Sequence, residues 1–569
     1  MKRKILALLL ALTAIFGSVC HVSCRQYTDT VPPLGNNDPN GPNEPNEPSA
    51  PGGGGGNEAG TGITGSLAAF NNLATSIANK RTELLTPLDN DYRSRTEVTY
   101  DNINGKTVTA YTLMVDYGEG FFNNPNFAQA VMIYQAMRYK DKHPEENVQI
   151  TITSFHFSVY LAACLDESSP DYGKMICLYD AEYNDRGYYR LSYLLVEAAK
   201  KGIEVTVIGQ IDASGVTQED GSWRADASFW IFFADSQWQP AYISGKTVGD
   251  FMTFRVAHWT SYGDKSAADM MHNKTCTVSH YIDNDGVEHK DAIWVGSINL
   301  DGISGTGMNG NNSVQTGLVV TNHAELRRVI YNYTRLMTNY CEQEEISLFR
   351  EAVITASTEQ ITLLNAGRGN EIPADEQIVY LGTENDEVFE LYFTPFGGDF
   401  STWDTVYNPY SKYLSKLLPS VSGESYIELL WNNVKFNTGF ELATIFIDVI
   451  KTAFLENGSL QNRLHLHLPG LDGSVFSELV NGENIGQSDV NNYVVYYHIK
   501  DLQLSYQEDG ERYYVTILNS LNFHEGSMYH QSNTILVIKE TATTGNDLYT
   551  DYAILTTPGM DFESYRITD

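Results

Sequence analysis

The feature that most constrains this chain is a motif written twice. One copy runs "HNKTCTVSHYIDNDGVEHKDAIWVGSIN", from His272 and Lys274 to Ser297 and Asn299. The other runs "HIKDLQLSYQEDGERYYVTILNSLN", from His498 and Lys500 to Ser520 and Asn522. Each reads as strand, Asp-Gly turn, strand, then S-x-N. Asp285-Gly286 and Asp509-Gly510 are strong hairpin signals. The alternation predicts that His and Lys of each triplet share one strand face, with the Asn brought beside them by the returning strand. These are the only two H-x-K triplets in the chain, and both sit in this setting.

The surrounding pattern repeats as well. In the first half, 110–120 reads as strand and loop, 126–140 as helix, 147–158 as strand, about 187–201 as a Gly-stopped helix and 203–211 as a buried strand. In the second half, 389–398, 409–420, 425–433, 440–458 and 463–468 read as strand, helix, strand, helix and strand. Strands alternating with helices indicate an α/β architecture. Folded face to face, such halves would bring two His, two Lys and two Asn together. Ammonium and amide donors suit phosphate oxygens. The set has no carboxylate, so it is not a Mg²⁺ or Ca²⁺ cage. Two imidazoles suit a two-step displacement, one attacking phosphorus and the other moving protons.

The duplicated H-x-K…(G/N)-S-x-N pattern resembles the phospholipase D superfamily over about 100–560. The resemblance implies two tandem α/β/α halves with pseudo-two-fold symmetry, the site at their interface and cofactor-free, metal-independent phosphodiester cleavage. It implies His272 as nucleophile and His498 as general acid and base. Lys274, Lys500, Asn299 and Asn522 would hold the phosphate, with Ser297 and Ser520 as the family's motif serines. Five residues depart from the family pattern. Ser279 and Ser505 replace the usual Asp, Asn519 replaces Gly, and Gln315 and Asn533 stand where a Glu often follows each motif.

The chain has 569 residues and a net charge of −34, which disfavours a polyphosphate backbone as substrate. Residues 1–24 read as a signal peptide: a basic start, then the apolar run 5–17, too short for a finished membrane span. Cys24, or Cys20, is the expected site of a lipid anchor, with plain signal cleavage as the alternative. Residues 25–65 are a Pro/Asn/Gly-rich stalk with little to bury. The expected order is then an N-terminal half at 66–345, a connector at 346–384 and a C-terminal half at 385–569. Cys164, Cys177, Cys276 and Cys341 lack zinc-site spacing and read as buried thiols or a pair.

Beyond the motifs, His156 and Asn432 occupy matching strand ends and are expected to line the pocket. So is His258, read as lying in a loop before the first motif. His524 is similar. The pair His465 and His467 reads as structural, and the aromatic run 229–239 as a buried strand rather than a lipid-facing lip. The combined expectation is an exported, monomeric phosphodiesterase, acting on a phospholipid or other phosphodiester and held near a membrane by its anchor. The alternatives are an exported nuclease of the same superfamily and a non-catalytic binding module.

Overall fold

Two matched hairpins organise the fold of this computed structural model. It describes residues 97–103, 106–115, 125–166, 168–177, 187–212, 228–261, 268–283, 285–300, 313–338, 388–394, 409–417, 426–431, 464–467, 496–497, 500–522, 527 and 531–556. The signal, stalk and connector regions and the expected helix at 440–458 lie outside them, as do His524 and Cys341.

In chain order the first elements are β1 (Glu97–Ile103), β2 (Lys106–Val115), α1 (Asn126–Lys142), β3 (Gln149–Ser154), β4 (Leu161–Cys164), β5 (Met175–Cys177), β6 (Tyr188–Arg190), α2 (Leu191–Lys200), β7 (Glu204–Asp212) and α3 (Ser228–Ser236). Then follow β8 (Met252–Ser261), β9 (Ala268–Met271), β10 (Thr275–Ile282), β11 (Glu288–Gly296), β12 (Ser313–Thr321) and α4 (Ala324–Thr338). The rest are β13 (Phe389–Thr394), α5 (Pro409–Leu417), β14 (Tyr426–Trp431), β15 (Leu464–His467), β16 (Tyr496–Tyr497), β17 (Lys500–Glu508), β18 (Glu511–Asn519), β19 (Gln531–Thr541) and α6 (Asp547–Thr556). A sixteen-stranded mixed sheet runs β1-β2-β12-β11-β10-β3-β7-β8-β9-β19-β18-β17-β14-β15, with β13 on β19 and β16 on β12. The architecture is α/β.

Both Asp-Gly hairpins form. Glu508 pairs with Glu511 across Asp509 and Gly510, whose φ angles of 53° and 85° are those a two-residue type I′ turn needs. In the first hairpin Gly286 takes φ 80° between the closing pair Ile282 and Glu288. Each hairpin gains a third antiparallel strand, β12 on β11 and β19 on β18. Beside β10 lies β3, buried on both faces: Ile150 and Ile152 join the core, while Thr151 and Thr153 meet Thr277 and Thr275 at 2.5 and 2.8 Å. One apolar core joins Ile293 and Val295 of β11, Leu318 and Val320 of β12, Leu518 of β18 and Leu536 and Ile538 of β19. Residues around both motifs therefore share one packed interior.

Three local expectations are corrected. The aromatic run is helix α3, not a strand. Phe229, Phe232 and Phe233 recur at helical spacing, and Phe233 inserts between Phe157 and Phe254 at ring distances of 5.7 and 6.1 Å. His258 lies in β8 rather than a loop, its backbone opposite Ile211. His272, Asn273 and Lys274 precede β10 rather than belonging to it, although Lys500 does open β17. Cys164 and Cys276 are buried thiols that form no disulfide.

Candidate active site

The stretch His272–Lys274 lies between β9 and β10. Just ahead of it, β9 pairs in parallel with β19, Met271 opposite Ser532, and His272 N donates to Ser532 O at 2.8 Å. That pairing sets His272 beside Asn533, and its Nδ1 lies 2.8 Å from Asn533 Oδ1. The amide orientation of Asn533 follows from its other contacts. Its Nδ2 donates to Thr394 Oγ1 at 2.9 Å and Ser527 O at 3.1 Å, so Oδ1 is the face turned to the imidazole. An amide oxygen only accepts, so Nδ1 carries the proton and Nε2 keeps its lone pair. Ser520 Oγ also donates to Asn533 Oδ1, at 3.2 Å.

His272 is 5% exposed, and burial pushes its pKa well below the usual imidazole value. Lys274, Lys500 and His156 push it the same way, against the Asn533 hydrogen bond. Both lysines are essentially fully buried, at 1% and 0% exposure. Lys274 Nζ donates to His272 O at 3.0 Å and lies 5.7 Å from the Phe155 ring centre. Lys500 is held well below the ordinary lysine range, by burial first and by Lys274 next, against Asp501. Burying two cations within reach of each other is costly without an anion between them.

Asn299 and Asn522 close the two hairpins, and the side-chain Oδ1 of each is buried without a hydrogen-bond partner. Such a group costs about 1–3 kcal/mol if it stays unpaired. Turned over, the same amide presents NH₂ to an anion. Asn299 is held by its backbone: its carbonyl accepts from Asn126 Nδ2 at 2.8 Å, and Gln129 Nε2 donates to Asn126 Oδ1 at 2.8 Å. Next to it, Leu300 N donates to His156 O at 3.0 Å. The partly exposed His156 thus stands beside Asn299, its ring edge-on to Phe155 at 4.1 Å, while Phe155 sits 5.0 Å from His272.

The motif serines are fully buried. Ser297 Oγ donates to Gln315 Oε1 and accepts from Thr316 N, both at 2.9 Å. Ser520 Oγ likewise accepts from Thr534 N, at 3.3 Å. They pin each hairpin end to the next strand. The departures are local. Ser279 Oγ accepts from Gln149 N at 2.8 Å, where β10 meets the start of β3, at the far end of β10 from Lys274. Arg512 donates to Ser505 Oγ at 3.5 Å. Asn519 donates from Nδ2 to Lys500 O, and its Oδ1 accepts from Leu521 N at 2.7 Å. At the matching place Gly296 has no room for a side chain: a Cβ there would lie 2.6 Å from Thr316 O.

The structure therefore gathers His272, Lys274, Lys500, His156 and Asn299. His498 and Asn432 lie outside the described residues, and of His258 only the backbone is described. The chain is described up to Tyr497, which pairs with Val314 next to Gln315, and again from Lys500. Sequence reasoning missed Phe155, Asn126, Thr394 and Asp501. The last is buried beside Lys500 and accepts from Thr316 Oγ1 at 2.9 Å, Asn519 N at 3.2 Å and Tyr552 OH. Burial raises its carboxyl to about 6 in spite of these donors.

No protein-family model and no curated protein matches the sequence. Among solved structures, the chain is similar to phosphatidylserine synthase from Haemophilus influenzae over 77% of its length and 86% of the synthase, at 11% identity and a TM-score of 0.41. It is similar to polyphosphate kinase from Porphyromonas gingivalis over 76% of its length but only 48% of the kinase, at 11% identity and a TM-score of 0.39. A phospholipase D family member, Nuc from Salmonella typhimurium, overlaps 42% of this chain and 99% of its own, at 12% identity and a TM-score of 0.21. Overlaps this loose carry no weight by themselves; it is through its two H-x-K…S-x-N hairpins that the chain resembles the phospholipase D superfamily.

Proposed function

We propose that the chain is a metal-independent phosphodiesterase of the phospholipase D type that hydrolyses a phospholipid. The observation that carries this reading is the pair of buried lysines flanking a neutral, Nδ1-protonated His272. In the first step Nε2 of His272 attacks phosphorus, the P–O bond to the leaving group breaks, and the alkoxide takes a proton from His498. In the second, water gives a proton to His498 and attacks phosphorus, the Nε2–P bond breaks and His272 is restored. Lys274, Lys500, Asn299 and Asn522 stabilise charge on the phosphoryl oxygens.

Two tandem halves with approximate two-fold symmetry are part of the same proposal. Two cross-pairings support it: Met271 on Ser532, and Tyr497 on Val314. Each residue precedes a motif His on one strand, and Asn533 or Gln315 on the other. Gln315 is then the counterpart that orients His498. Export, an anchor at Cys24 or Cys20, the stalk and a monomeric state complete the reading.

The test is turnover in EDTA of phospholipids, bis-p-nitrophenyl phosphate and single-stranded DNA by wild type, His272→Ala and His498→Ala. EDTA-resistant release of a lipid head group, lost in both variants, is expected. Cleavage of DNA alone makes the chain a nuclease. Absence of turnover on every member, with phosphate ligands still bound, makes it a binding module.

A further inference from the structure

Arg190 places its guanidinium over two tyrosine rings. Its Cζ lies 5.4 Å from the Tyr160 ring centre and 5.4 Å from that of Tyr193. A cation–π contact engages the face of the planar group and leaves the N–H donors, which point outward in the plane, for other partners. No carboxylate pairs with it among the described residues, and its buried Nε has no hydrogen-bond acceptor. That is unusual in a chain with 71 acidic residues against 37 basic ones. Arg190 and both tyrosines are partly exposed.

The place of this group in the fold matters. Arg190 occupies the N-cap position of α2, and no side chain caps that end. The first amides of the ten-residue helix add positive potential there. Hydrogen bonds link its surroundings to a segment of the candidate active site. Ser192 Oγ donates to Val159 O at 2.8 Å, and Tyr160 N donates to Ser158 Oγ at 3.2 Å. Ser158 N in turn donates to the carbonyl of Leu300, the residue after Asn299, at 2.6 Å. From Ser158 to Tyr160 the backbone spans at most about 7 Å. A short run of hydrogen-bonded backbone thus ties the segment that carries Tyr160 to the residue after Asn299.

We propose that Arg190, in cation–π contact with Tyr160 and Tyr193 at the open end of α2, is a second anion subsite, and that the preferred substrate carries a carboxylate or further phosphate beside the scissile phosphodiester. This rests on the phosphodiesterase reading above. A planar guanidinium fits either anion by a bidentate pair of hydrogen bonds. The two tyrosines hold the fork in place, so that little side-chain freedom is lost on binding.

The test uses two substrate pairs that differ by one anionic group. Phosphatidylserine against phosphatidylethanolamine isolates a carboxylate on a lipid, and pdTpdT against dTpdT isolates a terminal phosphate on a dinucleotide. The full chain is assayed as wild type, Arg190→Gln and Arg190→Lys. Wild type should favour the more anionic member of one pair by tenfold or more in kcat/KM. Arg190→Gln should bring that ratio close to one, and Arg190→Lys should restore only part of it, because a point charge does not replace the fork. No preference in either pair overturns the proposal. So does an equal loss on both members, which is what a merely structural arginine gives. If wild type turns over neither pair, the phosphodiesterase reading fails by itself. Calorimetry with inorganic pyrophosphate then decides the subsite: binding kept in His272→Ala and weakened fivefold or more in Arg190→Gln supports it, and equal binding by both overturns it.

Discussion

Nδ1 of His272 and Oδ1 of Asn533 lie 2.8 Å apart, although 261 residues separate them along the chain. A residue that follows the second motif therefore fixes the tautomer of the histidine that opens the first. Asn533→Ala removes the acceptor and should lower kcat/KM roughly 10–100-fold, the scale of a lost orienting partner of a functional histidine. Asn533→Asp has a different signature. A carboxylate beside the ring favours imidazolium, so the neutral fraction falls and the acid limb of the rate profile should move about 1–3 units toward higher pH. A profile left unmoved by Asn533→Asp would show that His272 is not the group titrating there.

The two buried lysines make a second prediction. Lys500 is held below the ordinary lysine range by burial and by Lys274. Its charge, and phosphate affinity with it, should fade at a pH where a surface lysine is still protonated. KM should rise on that alkaline limb. Lys274→Met removes the repulsion and should move Lys500 back up, read from the pH dependence of Lys500 acylation by mass spectrometry. If Lys500 titrates identically in both proteins, the two side chains are not coupled.

Asn126 offers a test of positioning. Its amide holds the Asn299 carbonyl, and Gln129 holds the Asn126 amide. Asn126→Ala should act mainly on KM, by roughly 3–30-fold, since a small displacement of a phosphate donor is enough to weaken binding. Asn126→Gln should not restore it, because its amide sits one methylene too far out. Loss of kcat with KM unchanged would place Asn126 elsewhere in the scheme.

Much of this was legible in the sequence, and the reasons are particular. Strand alternation and two Asp-Gly turns predicted both motif hairpins because β period and turn chemistry are local. The helix at Ser228–Ser236 was misread because Phe and Trp favour strands by propensity and only tertiary contacts, here Phe157 and Phe254, decide the outcome. Asn533 was visible as the residue in place of a Glu, but its bond to His272 was not, because a parallel pairing between β9 and β19 creates it. Phe155, Asn126 and Arg190 carry no motif. Their importance comes from neighbours such as His272, Asn299 and Tyr160, which sequence spacing alone does not reveal.

Glu540 should set part of the pH dependence of stability. Its carboxyl is buried, and burial raises it to about 8 in spite of donors from Tyr549 N at 2.8 Å, Tyr100 OH at 3.0 Å and Leu548 N at 3.2 Å. A raised folded pKa means that the native state holds a proton the unfolded chain releases. The associated stability is therefore present at low pH and is lost as pH rises from about 4.5 to about 8, in total of the order of 5 kcal/mol. Thermal melts across that range should show a falling Tm in wild type and a flatter trend in Glu540→Gln. Parallel slopes would contradict the assignment.

The most direct test of the central claim is a rapid-quench experiment with a ³²P-labelled phosphodiester in EDTA, followed by alkaline peptide mapping that preserves phosphohistidine. Label should appear on the peptide that carries His272, persist in His498→Ala and be absent from His272→Ala. Label on the His498 peptide, surviving in His272→Ala, would contradict the account.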